Sequence, residues 1–175
     1  MYDKAKFKSL VHFVCFKRSG DLSKLGAVKL NKILWLSDFR AYYRLGKSIT
    51  GARYVKREFG PVPHQILSVL QELQDEGALE VREGKHFGKR KKQFIVRSQA
   101  SIDYFPTNEI EIIEETIKFV CDEHTAASIS EVSHDHIWKA AADGEEIPYY
   151  TVFAIPGKIS SDEREWARMQ LESNL

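Results

Sequence analysis

The 175-residue chain has no apolar run approaching the roughly 20 residues that span a bilayer, so no membrane anchor is expected. Basic residues precede the apolar patch from Leu10 to Phe16, but His12 interrupts it and no small-residue cleavage site follows; a secretory signal is not expected either. There is no GxxxxGK[ST] or GxGxxG, so a nucleotide-phosphate cradle is absent by sequence, and neither CxxC nor HExxH occurs. Cysteine is limited to Cys15 and Cys121, each in an apolar helical context. Two buried thiols in a reducing cytosol are expected, and the sequence leaves a bridge between them open. With no low-complexity linker and no internal repeat, residues 1–175 read as a single domain, long enough to bury a sizeable core. The composition, 43% hydrophobic and 29% charged, is that of a soluble globular protein.

Candidate chemistry is thin. His134, Asp135 and His136 lie near Glu131, and Cys121 shares a helix end with His124. His134 and His136, two residues apart, point to different sides of a strand or a helix and do not converge on one ion. A surface or capping role suits them better than a metal site. Cys15 and His12 stand at helical spacing, but no third group orients them. No catalytic residue, metal, cofactor or small-molecule substrate is implied, and the chain is expected not to be an enzyme.

What is present is mostly helix. Tyr2–Lys17 is amphipathic, with Phe7, Leu10, Val11 and Val14 inward. In the next helix Leu30, Ile33, Leu34, Ala41 and Leu45 recur at three- and four-residue steps, and Trp35, Leu36, Phe39, Tyr42 and Tyr43 widen the apolar face. Such a helix is central in its domain or half covered by a partner. Gly46 provides its stop. After a turn at Ser48–Gly51, Arg53–Phe59 alternates like a short strand, and Pro63 is placed at the start of a helix running to Gly77, with Ile66, Leu67, Leu70 and Leu73 on one stripe. Ala78–Arg82 and Gln93–Arg97 read as a hairpin with a loose basic tip, Glu83–Lys92. Asn108 is read as the cap of a helix with Ile110, Ile113, Ile117 and Val120 inward. Short helices follow near Ser128–His136 and Trp138–Ala142, and a last amphipathic one from about 160 is expected to pack back.

The block from Lys29 to Ile66 carries a resemblance. Lys29-Leu30, Lys32-Ile33-Leu34, Asp38-Phe39, Gly46, Ile49-Thr50-Gly51, Tyr54 and Phe59-Gly60-Pro61-Val62-Pro63 occur in an order that resembles the Panacea, or SocA-like antitoxin, domain of bacterial and phage toxin–antitoxin pairs. A weaker match follows at Ser133-His134, Trp138, Gly144, Ile147 and Pro148-Tyr149, so that the likeness covers roughly Met1 to Phe153. The resemblance implies a small, cytoplasmic, non-enzymatic protein that neutralises an adjacent-gene toxin by direct contact. Members are paired with unrelated toxins, so it implies a role and not a particular partner.

The fold expected is mainly α (α+β), a compact helical domain with a small winged-helix-like β-hairpin. That hairpin invites a rival reading as a DNA-binding regulator or autorepressor, in which Lys85, Lys89, Arg90, Lys91 and Lys92 meet phosphate. Gln71, Glu72, Gln74, Asp75 and Glu76 on the preceding helix oppose it, since a groove reader is not acidic. The basic tip also reads as a solvated turn or as a contact for an acidic toxin. A third reading is a phage accessory protein that binds a host complex. Charge is asymmetric: residues 1–97 hold 21 Lys and Arg against 9 Asp and Glu, and residues 98–175 hold 5 against 16. Either two surfaces of opposite sign steer a partner, or the halves neutralise each other on folding.

For partner contact, aromatic and arginine residues are the first candidates. Trp35 and Tyr42 fit a core role better, and Trp138 and Tyr149 fit packing anchors. Arg40, Tyr43, Arg53, Tyr54 and Lys56 are the expected contact residues, chosen for polar ends that must reach water or a partner.

Overall fold

The computed structural model describes residues 1–86 and 89–154. Six α-helices and two two-stranded antiparallel sheets make it mainly α among those residues. In order these are α1 (Lys4–Lys17), α2 (Ala27–Leu45), β1 (Tyr54–Val55), β2 (Val62–Pro63), α3 (Ile66–Asp75), β3 (Leu79–His86), β4 (Lys89–Val96), α4 (Thr107–Asp122), α5 (Ala126–Ser133) and α6 (His136–Ala140), with a 3-10 turn at Tyr149–Phe153. The helix expected from about residue 160 lies outside the described residues.

α2 is the hub. Leu30, Ile33, Leu34, Trp35, Phe39 and Ala41 are buried, and α1, α4, α5, the β2 segment and the 3-10 turn all pack on it. At its end Gly46 takes φ +71 and donates its N–H to the carbonyl of Tyr42, the left-handed stop that a glycine permits. Asp3 accepts from Lys6 N at 2.9 Å and so starts α1 two residues later than the apolar pattern suggests.

Several expected boundaries move, each for a local reason. The extended run from Arg53 to Phe59 shrinks to β1, in which Tyr54 and Val55 form a ladder with Pro63 and Val62. Pro63 is therefore a strand residue and not the first turn of α3. Val62 precedes a proline, which holds it extended, and His64 N is tied to Arg53 O at 2.9 Å. On α3 the inward stripe is Ile66, Val69, Leu70 and Leu73, while Leu67 is 69% exposed. α4 starts after Pro106, whose carbonyl accepts from Glu109 and Ile110; Asn108 is already inside the helix and no side chain caps it. The inward residues of α4 include Ile112 and Thr116, with Ile110 only half-buried. The hairpin strands run through the basic segment, with Lys85 opposite Arg90 and His86 opposite Lys89, so the loose tip is far shorter than expected.

A connection not foreseen ties the segment Gly144–Ile147 to β1 and the residue after it. Lys56 N donates to Glu145 O, Gly144 N to Lys56 O and Ile147 N to Tyr54 O, at 2.8, 3.0 and 2.8 Å. This places Ile147 and Tyr149 over α2. Both cysteines are buried and free. No helix is long and apolar enough to cross a membrane.

Candidate partner-binding surface

Two polar assemblies pin α2 to what covers it. Asp38, fully buried, accepts from Thr50 N at 2.7 Å, from Thr50 Oγ1 at 2.5 Å and from Tyr54 OH at 2.7 Å. Burial raises the pKa of this carboxyl, and the three donors oppose that shift. Tyr54 OH also lies 2.8 Å from the carbonyl of Leu34, and the Tyr54 ring meets Tyr149 edge-on. In the second assembly Lys32, 1% exposed, brings its amine against Gly60 and Ser133. A Cβ at position 60 would lie 1.7 Å from Lys32 Nζ, and φ there is +100, so glycine alone fits. His134 caps the C-terminal end of α5 and stacks on Trp138 at 3.8 Å. Lys56 Nζ sits 4.2 Å from the Trp138 ring on its way to Ala141 O.

Between these assemblies a groove opens to solvent. Trp35, Leu36, Phe39, Arg40 and Tyr43 of α2 form one wall, Ile137 and Trp138 of α6 with Ile147 and Val152 form the other, and Pro61 contributes to the lining. It encloses about 230 Å³. A neighbouring hollow of about 430 Å³, lined by Val28, Phe59 and Val62 among others, shares Pro61. Beside the groove Tyr43 and Phe153 are 63% and 53% exposed, with ring centroids 5.8 Å apart. Tyr150 and Phe59 are also exposed.

The family model described as "Antitoxin SocA-like, Panacea domain" matches residues 30–139, more than half of the chain. The chain belongs to the Panacea family. No curated protein and no solved structure matches it.

In this Panacea domain the residues that carry the family likeness are mostly interior. Leu30, Lys32, Ile33, Leu34, Asp38, Phe39, Ile49, Thr50, Tyr54, Ser133 and Ile147 are all buried. Most of them build the scaffold behind the groove, while Phe39 and Ile147, with Pro61 and Trp138, also line it. Of the expected contact residues, Arg40 and Tyr43 line the groove together. Arg53 lies outside it, paired with Glu146 at 2.7 Å, and Lys56 is held by Ala141 and Trp138. Tyr54 is corrected: at 1% exposure it is a core residue whose hydroxyl is consumed by Asp38 and Leu34. Val152 and Ile137, which pure sequence reasoning did not single out, complete the far wall. The tie between β1 and Gly144–Ile147 helps to bring that wall to α2, and no periodic pattern announces it.

Elsewhere the candidate chemistry separates. His12 Nε2 lies 3.2 Å from Ser98 O, while burial pushes the Cys15 thiol far up, away from the thiolate a nucleophile needs. Among the described residues no group of three His, Cys, Asp or Glu is placed to hold a metal ion. On the hairpin, Lys91 Nζ folds back onto the carbonyl of Ser23.

Proposed function

We propose that this Panacea domain is a cytoplasmic antitoxin that neutralises a cognate protein toxin, encoded beside it, by docking on it. The family match carries the reading. The exposed aromatic surface around Tyr43 and Phe153 supports it, since tyrosine, tryptophan and arginine dominate the energetics of protein interfaces. The action is occlusion: the domain covers the toxin's working site in a stoichiometric complex and makes or breaks no bond.

The regulator reading has less support. The face of α3 that would enter a groove presents Gln71 and Asp75, bonded to each other at 2.8 Å, and Glu72 and Glu76 pair with Lys4 and Lys8 of α1. A nucleic-acid reader offers donors and positive charge there.

The test is co-expression. The neighbouring open reading frame is induced alone and with this chain, and growth is followed. Arrest by the neighbour alone and rescue by the pair, with co-purification of a complex, is the expected result. A harmless neighbour, or one that still kills when both are made, overturns the reading.

A further inference from the structure

The groove between α2 and α6 has a composition that limits what can fill it. Its volume, about 230 Å³, falls below the ~300–1,000 Å³ of typical small-molecule sites and suits an inserted side chain. Both walls carry apolar side chains, from Leu36 and Phe39 to Ile137, Ile147 and Val152, with Asp135, His136 and Thr151 also in the lining. Besides the Tyr43 hydroxyl at the exposed rim, the α2 wall brings two polar groups that can only donate. Trp35 Nε1 is buried and has no hydrogen-bond acceptor among the described residues. Arg40 donates one bond, from Nη1 to Thr116 Oγ1 at 3.2 Å, and lays its guanidinium 4.7 Å from the Phe119 ring centroid.

A guanidinium has five N–H donors in a planar fork, and its best complement is a carboxylate. Arg40 forms no ion pair among the described residues, whereas its neighbour Arg44 pairs with Glu115 at 2.6 Å. Glu115 and Glu123 act on Arg40 from a distance only, and burial is the larger influence, lowering its pKa. The one carboxylate lining the groove, Asp135, is turned to cap α6 through Trp138 N at 2.8 Å. Asp135 is thus committed to a helix end, and Arg40 is a cation of the groove with no ion pair among the described residues, beside an apolar slot and an aromatic rim.

We infer that the cognate toxin enters this groove with an apolar side chain seated between α2 and α6 and an adjacent carboxylate paired with Arg40. This rests on the antitoxin reading above and deepens it by stating where the toxin docks and what its contacting segment must contain. The surface is one of hot-spot type: a half-buried arginine next to a pocket, with the exposed rings of Tyr43 and Phe153 beside it.

The experiment uses the full chain and the purified toxin, with affinity measured by calorimetry and folding checked by thermal melting. Arg40→Glu is expected to weaken binding by roughly a hundredfold or more, and Val152→Arg, which fills the slot, by a similar factor. Lys92→Glu on the hairpin serves as the charge control and is expected to stay within about threefold of the wild type. Should Arg40→Glu not fold, Arg40→Gln and Tyr43→Ser at the rim are measured in its place, with the loss expected again. Replacing toxin carboxylates one at a time with lysine is expected to find one whose change restores binding to Arg40→Glu. If the wild type binds tightly and the groove variants bind equally well, this inference fails while the antitoxin reading stands. If the wild type neither binds nor protects, the antitoxin reading itself fails. A free-chain dimer that Val152→Arg splits would assign the groove to a second copy and overturn the inference. So would a cross-link from the groove to residues beyond Ala154 that the toxin does not displace.

Discussion

Lys32 holds its amine at 1% exposure, beside Gly60 and Ser133, with no ion-pair partner among the described residues. Burial lowers its pKa from 10.5 to about 7. An unfolded lysine keeps its proton to about pH 10.4, so between pH 7 and that value the unfolded state binds more protons than the native one. Stability contributed at this site therefore rises with pH across that window, and below pH 7 the native state bears the full cost of a buried charge. Lys32→Met should stabilise the domain by on the order of 3–5 kcal/mol near pH 7 and by progressively less toward pH 10. Urea midpoints at pH 7, 8, 9 and 10 read this directly, and a pH-independent offset between the two proteins would count against it. Working above pH 7 also keeps His134 out of the measurement, since burial and then Lys32 hold its pKa below the usual histidine value. The sequence marked Lys32 as part of the family pattern without saying why. The reason is a contact 28 residues away in sequence, at a glycine whose missing side chain makes the space. Tyr54 shows the same limit from the other side. A tyrosine in a two-residue strand has no periodicity to say which face it turns, and here both Tyr54 and Val55 are buried.

At the level of elements, the amphipathic helices were legible and their joints were not. The stripes of α1 and α2 were readable because long helices repeat their apolar spacing several times. α3 and α4 were read less well: ten residues in α3 cannot distinguish Leu67 from Val69 as the inward position, and in α4 the Pro106 boundary outweighs the cap suggested by Asn108. Most of what locks α4 to α1 is also hidden from pattern reading, because it is polar. Glu109 is 2% exposed in the first turn of α4 and meets Lys6 Nζ of α1 at 2.6 Å. A glutamate at a helix N-terminus looks like a solvated dipole partner in sequence, yet this one is interior. Lys6→Met would leave the buried Glu109 carboxyl without its partner, and should cost about 3–5 kcal/mol, lowering Tm by roughly 6–20 °C. The double variant Lys6→Met with Glu109→Leu should recover most of the loss, because an apolar pair of similar volume avoids the buried charge altogether. Thermal unfolding of the single and double variants checks this. A double variant no better than Lys6→Met would mean that the pair holds the two helices by geometry and not by charge balance.

On the scale of the whole molecule the charge asymmetry resolves into contacts between the two halves. Lys17 pairs with Glu114, Arg18 and Lys24 with Asp122, Arg44 with Glu115, Arg53 with Glu146, and Arg57 with Asp143. Each joins a basic residue of the first 97 to an acidic residue of the remainder, so much of the apparent dipole is spent inside the fold. The hairpin's sequence concentrates Lys85, Lys89, Arg90, Lys91 and Lys92. Whether those cations steer a partner is decided by kinetics. Changing Lys85, Lys89, Arg90 and Lys92 to glutamine takes the formal net charge from +1 to −3. If the toxin docks at the groove and the halves neutralise each other, association in stopped flow at low salt should change by no more than about threefold, and toxin neutralisation should persist. Electrostatic steering would instead appear as a loss of about tenfold or more in the association rate that vanishes as salt approaches ~0.5 M, where the screening length falls to a few ångströms. That outcome would move the encounter surface from α2 to the β3–β4 hairpin. The same variant carried through a gel shift separates nucleic acid from protein as the hairpin's target. Retention of DNA by the wild type, lost in the variant and falling steeply with salt, is the signature of phosphate contacts. The acidic face of α3 makes sequence-specific retention the outcome this structure does not support.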